Sequence, residues 1–236
     1  MPLLRYGRQR IAAPFIMKRS KAVVLLSGGL DSATTLYLAK REGFNCHCLI
    51  FDYGQRHKRE VKAAEKVAAT ADCSFEFISI ALPWKGSSLL DKSRKLPIEG
   101  YKHKAIPSTY VPARNTIFLS FALSYAEAIG ARDIFIGANA IDYSGYPDCR
   151  PAYYSAFNRL SLLATKSGVE GKKIKIHSPL IRLKKSGIIK LGMELGVPYE
   201  LTWSCYCGGK KPCGSCDSCV LRAKGFKETG AIDPAL

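Results

Sequence analysis

Short runs of aliphatic and β-branched residues recur along the chain, and each is followed by a longer stretch whose apolar positions repeat at helical spacing. The runs Ala22–Leu26, Cys46–Phe51, Phe75–Ile80, Asp133–Gly137 and Lys173–His177 read as strands. The stretches Ala33–Arg41, Lys58–Ala69, Arg114–Ile129, Ala152–Thr165 and Lys184–Leu195 read as helices. Strands alternating with crossover-length helices predict an α/β fold, a doubly wound parallel sheet of about five strands. Two intervals break the rhythm. From Leu82 to Pro112 the chain carries Pro83, Gly86, Pro97, Gly100, Pro107 and Pro112, which predicts a long surface insertion that covers a site. From Trp203 to Cys219 it is rich in cysteine. Residues 1–20 show no sustained periodicity, and Met17-Lys18-Arg19 stands directly before the first strand. The expected organisation is an N-terminal extension (1–20, with Met17 as initiator), one α/β unit (21–200, insertion 82–112) and a small C-terminal cysteine segment (201–236).

Composition narrows the classes. At 236 residues the chain can bury one sizeable core. It contains no apolar run of the ~18 residues that a membrane span needs, and its N-terminal apolar stretch is broken by Pro14, so a soluble, cytoplasmic protein without a membrane partner is expected. The formal charge of +17 favours an anionic partner: nucleotide phosphates, an acidic small molecule or RNA.

Val23-Val24-Leu25-Leu26 runs directly into Ser27-Gly28-Gly29-Leu30-Asp31-Ser32 and then into Ala33-Thr34-Thr35-Leu36. The order strand, glycine turn, helix lets backbone N–H groups converge on an anion where the helix dipole adds positive charge. Ser27 and Ser32 add hydroxyl donors, and Asp31 a carboxylate able to position Mg²⁺ beside phosphates. A Walker A loop requires Gly-Lys-Ser/Thr, which is absent here, and the Gly-x-Gly-x-x-Gly dinucleotide pattern is absent too. Ser-Gly-Gly-x-Asp-Ser resembles the PP-loop of ATP pyrophosphatases, which cleave ATP between the α- and β-phosphates.

Five of the nine cysteines lie between Cys205 and Cys219, a clustering that points to metal in a reducing compartment rather than to disulfides. Cys205, Cys213, Cys216 and Cys219 are spaced C-x7-C-x2-C-x2-C, with Cys207 as a competing first ligand. Four thiolates leave no vacant position, so the site is structural: zinc, or alternatively an iron–sulfur cluster.

Candidate substrate contacts fall on loops after predicted strands, where open α/β sheets bind ligands. Asp52, Tyr53, Gln55, Arg56 and His57 follow the second strand. Asn139, Asp142, Tyr146, Asp148 and Arg150 follow the fourth, with rings to stack on a purine-like base, carboxylates to accept from it and an arginine to pair with a carboxylate. Cys149 is either a nucleophile or a buried thiol. Arg114, in Val-Pro-Ala-Arg-Asn, opens a helix and reaches for phosphate or substrate. The basic run Lys172–Lys190 reads as a solvated exterior.

Taken together, Ser-Gly-Gly-Leu-Asp-Ser, Phe-Asp-Tyr-Gly-Gln-Arg-His, Val-Pro-Ala-Arg-Asn, Asp-Tyr-Ser-Gly-Tyr-Pro-Asp-Cys-Arg and Thr-Trp-Ser-Cys-Tyr…Cys-Gly-x-Cys-Asp-x-Cys resemble the 7-cyano-7-deazaguanine synthase (QueC) family, in order from Ser27 to Cys219. The resemblance implies a carbon–nitrogen ligase that turns 7-carboxy-7-deazaguanine, ammonia and ATP into a nitrile for queuosine or archaeosine. It implies ATP with Mg²⁺ on Leu26–Leu36, a catalytic set of Ser27, Asp31, Ser32 and Arg114, one structural Zn²⁺ on Cys205, Cys213, Cys216 and Cys219, a homodimer, and no obligate nucleic acid. The competing expectation is a PP-loop enzyme acting directly on tRNA, of the thiolase or lysidine-synthetase type. A zinc-ribbon nucleic-acid binder would leave the glycine loop idle.

Overall fold

The structure, a computed structural model, describes residues 19–97, 106–141 and 145–235; the expected N-terminal extension up to residue 18 lies outside them. Among the described residues five strands, β1 (Lys21–Leu25), β2 (Asn45–Asp52), β3 (Ser74–Ser79), β4 (Asp133–Ile136) and β5 (Lys175–His177), form one parallel sheet in the order β3-β2-β1-β4-β5. The helices are α1 (Leu30–Arg41), α2 (Arg59–Thr70), α3 (Arg114–Ile129), α4 (Pro151–Ala164), α5 (Lys166–Val169), α6 (Lys185–Glu194) and α7 (Asp217–Thr229).

The period-2 geometry of a strand sorts the central residues to two faces. Ala22 and Val24 join α1, α2, α6 and Phe226 of α7 in one core, while Val23 and Leu25 join α3 and α4 in the other. Helices therefore cover both faces, and every strand run expected from the pattern is present within two residues at each end. The short α5 and the thirteen-residue α7 were not expected. In α7 the two x2 cysteine steps mask a helix start, because Cys216 sits at its N-cap and Cys219 already lies in its first turn.

Chain direction across the sheet reverses after β3, when the long insertion and α3 carry the chain back to the other side of β1. Ligand sites of open α/β sheets form outside the carboxyl ends of the strands flanking such a reversal, here β1 and β4. The loops leaving those two strands touch. A Cβ on Gly137, just beyond β4, would stand 2.9 Å from the Asp31 carbonyl carbon. Gly28, just beyond β1, has φ +80°, and a Cβ there would meet the Glu60 carbonyl oxygen at 2.3 Å. The glycine turn is thus wedged between α2 on one side and β4 on the other.

Gly28→Ala adds both a left-handed backbone cost and a collision with the α2 backbone. We expect it to cost about 2 kcal/mol or more, a fall of roughly 4–8 °C in Tm for a chain of this size. An unchanged melting curve would show that α2 does not hold the turn.

Candidate functional site

At the carboxyl edge of the sheet a cleft of about 220 Å³ opens over the glycine turn. The Ser27 N–H donates to Ser32 Oγ at 3.2 Å, the two hydroxyls lie 3.0 Å apart, and Ser32 Oγ donates to the Gly29 carbonyl at 3.1 Å. These bonds close the turn over the first residues of α1 and leave its rim facing the cleft. Farther along α1 the side chains serve the fold. Ala33 and Leu36 are core, Thr34 Oγ1 bonds the Leu30 carbonyl and Tyr199 Oη, and Thr35 Oγ1 bonds the Asp31 carbonyl. Both Asp31 carboxylate oxygens accept from Lys185 Nζ at 2.8 Å, with side-chain exposures of 17% and 10%. Lys185, the first residue of α6, is buried. Within the basic run Lys172–Lys190 it is the residue whose placement departs from a solvated exterior.

Arg114 is the first residue of α3 and lines the cleft, with Nη1 donating to Tyr53 Oη at 3.1 Å. Ala113, the residue before it, has φ +53°, a left-handed conformation costly for a side chain with a Cβ. Its N–H donates to Tyr110 Oη at 3.0 Å. The carboxylate of Asp148 accepts from the Asn115 N–H at 3.1 Å and so caps this strained helix start. The Asp148 carbonyl receives Asn115 Nδ2 and Tyr154 Oη. Burial raises the Asp148 carboxyl, partly offset by the Asn115 N–H. Asp148 thus supports Arg114 from beneath.

The other expected contacts divide. Tyr53, Gln55, Asn139 and Tyr146 line the cleft. Gln55 is occupied with its own loop, accepting from the Tyr53 N–H at 2.8 Å and donating to the Phe51 carbonyl. Asn139 donates to the Leu183 carbonyl and accepts from the Ile141 N–H, joining the β4 loop to the approach to α6. Arg56 turns to the insertion, donating to the carbonyls of Ser88 (2.6 Å), Asp91 (3.0 Å) and Arg94. It holds in place a segment whose Leu89 lines the cleft wall. Asp52 pairs with Lys58 at 3.0 Å, and Arg150 is exposed. Asp142 lies outside the described residues. Burial pushes the Cys149 thiol up to about 12, so it rests protonated, against Asn115 Nδ2 at 3.5 Å. Cleft residues that the sequence did not single out as contacts include Glu60, Phe118, Lys185, Trp203, Tyr206 and Arg222.

Three of these come from the cysteine segment and α7. The Trp203 N–H donates to the Gly28 carbonyl at 2.9 Å, so the segment is bonded directly to the glycine turn. His57 Nε2 lies 2.9 Å from the Cys205 carbonyl, and Arg59 Nε donates to the Gly208 carbonyl at 3.1 Å with its guanidinium 4.9 Å from the Trp203 ring centre. Arg222 of α7 forks onto Asp233 at 2.6 and 2.8 Å while donating to Thr202 Oγ1 and the Tyr199 carbonyl. A buried bidentate pair with its remaining donors satisfied fixes α7 under the segment.

The sulfurs of Cys205, Cys213, Cys216 and Cys219 lie within 4.8 Å of one another. A tetrahedron of sulfurs around zinc has edges of about 3.8 Å, and Cys213 Sγ is 4.0 Å from Cys219 Sγ. Backbone N–H groups already point at the sulfurs: Cys207 and Cys213 donate to Cys205 Sγ at 3.4 and 3.3 Å, and Cys216 donates to Cys213 Sγ at 3.3 Å. Such donors favour thiolates, and a hydrogen bond from Cys219 lowers the Cys216 thiol. The residues therefore fit a metal ion. Cys207 contributes an N–H to the cluster, while its side chain is exposed and outside the set of four.

Comparison with known proteins agrees with this arrangement. The 7-cyano-7-deazaguanine synthase of Nostoc punctiforme is 56% identical over 219 residues, 91% of this chain and 98% of its own length. The enzyme of the same name from Anaeromyxobacter sp. is 53% identical over 222 residues, 92% of this chain and 95% of its own. That of Thermoplasma acidophilum is 53% identical over 220 residues, 92% of each chain. Among solved structures, a predicted subunit of tRNA methyltransferase from Methanocaldococcus jannaschii shares the fold at 17% identity, with a TM-score of 0.50, covering 90% of this chain and 89% of its own. The family profile described as queuosine biosynthesis protein QueC matches residues 21–230. Spanning nearly the whole sheet, the cleft and the cysteine segment, that match places the chain in the QueC family.

Proposed function

We propose that this protein is an ATP-dependent ligase that converts 7-carboxy-7-deazaguanine and ammonia into 7-cyano-7-deazaguanine. The observation that carries the reading is the placement of the glycine turn: it opens into the same cleft as an arginine and a ring-lined wall of Tyr53, Phe118, Tyr146, Trp203 and Tyr206. A phosphate cradle and a site suited to a flat, acidic heterocycle face each other across one cavity. The identity above 50% with enzymes of this name, along nearly their full length, supports the same reading.

In this reading the hydroxyls of Ser27 and Ser32 and the N–H groups at the start of α1 take the β- and γ-phosphates. Mg²⁺ arriving with ATP would be held near Asp31 and would neutralise phosphate charge. Lys185, resting on Asp31, supplies further positive charge as the phosphates enter. Arg114 holds the substrate carboxylate against the α-phosphate. A carboxylate is a poor electrophile; its oxygen attacks the α-phosphorus of ATP, the bond to the β-phosphate breaks and pyrophosphate leaves, giving an acyl adenylate whose AMP is a good leaving group. Ammonia displaces AMP and sheds a proton to give the amide; the amide oxygen then displaces pyrophosphate from a second ATP, and loss of both N–H protons and of AMP gives the nitrile.

One structural Zn²⁺ on Cys205, Cys213, Cys216 and Cys219 accounts for the four-thiolate set. Further parts of the reading are a homodimer, for which the exposed Phe75 and Phe77 on the edge strand β3 offer an apolar surface, and a cytoplasmic enzyme. Among the described residues no helix is long and apolar enough to cross a membrane. We also propose that residues 1–20 are an extension, 21–200 the ATP-binding unit and 201–236 its metal-binding segment. A PP-loop enzyme acting on tRNA is the competing reading. The QueC match over residues 21–230 favours the small-molecule reading.

Purified protein given ATP, Mg²⁺, ammonium and 7-carboxy-7-deazaguanine is expected to yield the nitrile together with AMP, detected by mass spectrometry. Neither product, with zinc confirmed bound, would move the assignment to a tRNA substrate. In the same assay Lys185→Ala is expected to lower kcat/KM for ATP by about 100-fold, the scale of removing one charge-stabilising group beside a phosphate. A change below about threefold would remove Lys185 from the ATP site.

A further inference from the structure

Glu60 is the second residue of α2, and its side chain lines the cleft beside the glycine turn that its own carbonyl supports. Among the described residues nothing hydrogen-bonds or ion-pairs its carboxylate. That is costly for a partly buried acid unless the group has work to do. The neighbouring charges are otherwise engaged. Arg114 donates to Tyr53, Lys185 sits on Asp31, Lys58 pairs with Asp52, and Arg59 lies on Trp203 and the Gly208 carbonyl. Glu200, in the 3₁₀ turn packed on α2, is exposed. Among the described residues the carboxylates lining the cleft are Asp31, covered by a lysine, and Glu60, which has no such partner.

We propose that Glu60 is the proton acceptor for the nitrogen substrate, binding ammonium in the cleft and releasing it as ammonia against the activated carbonyl. This inference rests on the ligase reading above. The nitrogen source is mostly protonated at neutral pH and has no lone pair until it loses a proton. In the first half-reaction one N–H bond of ammonium breaks, and its proton passes to a Glu60 carboxylate oxygen. The freed electron pair forms the C–N bond to the acyl adenylate, AMP departs with the C–O pair, and the adduct's surplus proton goes to the AMP phosphate. In the second half the amide oxygen displaces pyrophosphate from a second ATP; of the two N–H protons of the O-adenylated amide one is lost to water and the other passes to Glu60, the freed pair completes the triple bond, and AMP leaves with the C–O pair. Between the halves Glu60 returns its proton to water through the cleft mouth.

The electrostatics suit that task. Burial raises the Glu60 carboxyl to about 7, with Arg114 pulling the other way. A base near the working pH is both available to accept and able to release a proton. The charge of Glu60 in turn reaches Tyr53, whose hydroxyl is raised chiefly by burial.

Glu60→Gln separates the possibilities. ATP–pyrophosphate exchange driven by the deazaguanine acid, without ammonium, reads adenylation alone and should stay within about threefold of wild type. Amide and nitrile formation at pH 7 should fall by about 100-fold or more, the scale of a lost general base. Amide formation alone should recover at least tenfold at pH 9, where free ammonia is abundant, and Glu60→Asp should recover part of both steps at pH 7. Nitrile formation by Glu60→Gln at the wild-type rate, or loss of exchange in parallel with it, would overturn the proposal. Wild-type protein that supports neither exchange nor nitrile formation would instead overturn the ligase reading itself.

Discussion

A single backbone hydrogen bond, from the Trp203 N–H to the Gly28 carbonyl at 2.9 Å, joins the C-terminal cysteine segment to the turn that ends β1. Gly28 is already pressed against the α2 backbone on its other side. The turn is therefore built from three places in the chain at once: its own strand and helix, the α2 backbone, and a segment some 175 residues later. A loop meant to present backbone N–H groups to an anion works only if it is held before the anion arrives, since ordering it at that moment costs entropy. The cysteine cluster provides that hold. Its His57 and Arg59 contacts fasten the segment to α2, and Arg222 with Asp233 fastens α7 beneath it. On this view a metal on the four thiols would be remote from the chemistry and yet support the cleft, because Trp203, Ser204 and Tyr206 flank the first of them, Cys205, and line the cleft.

How much of this could be read from the sequence depended on whether the determining contacts were local. The strands β1, β2 and β4 were legible because their residues are apolar toward both faces, as the middle of a sheet covered by helices on each side requires, and the edge strands β3 and β5 because short apolar runs recur there between turn signals. The glycine turn was legible because strand, small residues and helix follow one another directly. The four cysteines were legible because two x2 steps bring three thiols to one point, and the structure brings Cys205 rather than Cys207 to the fourth corner.

What was hidden depends on long-range pairing. Lys185 lies 154 positions from Asp31 and, in a run of lysines, carries no mark that distinguishes it from its solvated neighbours. Glu60 looks like an ordinary acid in the first turn of a helix; only the fold reveals that this turn faces the cleft. Arg56, Gln55 and Asp148 lie in loops rich in functional groups, yet their hydrogen bonds go to the Ser88, Phe51 and Asn115 backbones. They shape the walls that hold Leu89, Tyr53 and Arg114. Helix α7 escaped notice because its first turn doubles as metal-ligand spacing.

The dependence of the glycine turn on the cysteine segment is the central claim, and calorimetric titration of ATP into the holoprotein and into the same protein stripped of metal measures it. The account predicts that ATP affinity falls at least tenfold on stripping and returns when zinc is restored, while far-UV circular dichroism shows the sheet and helices retained. Equal ATP affinity with and without metal, on a chain whose cysteines are shown to be empty, would contradict it.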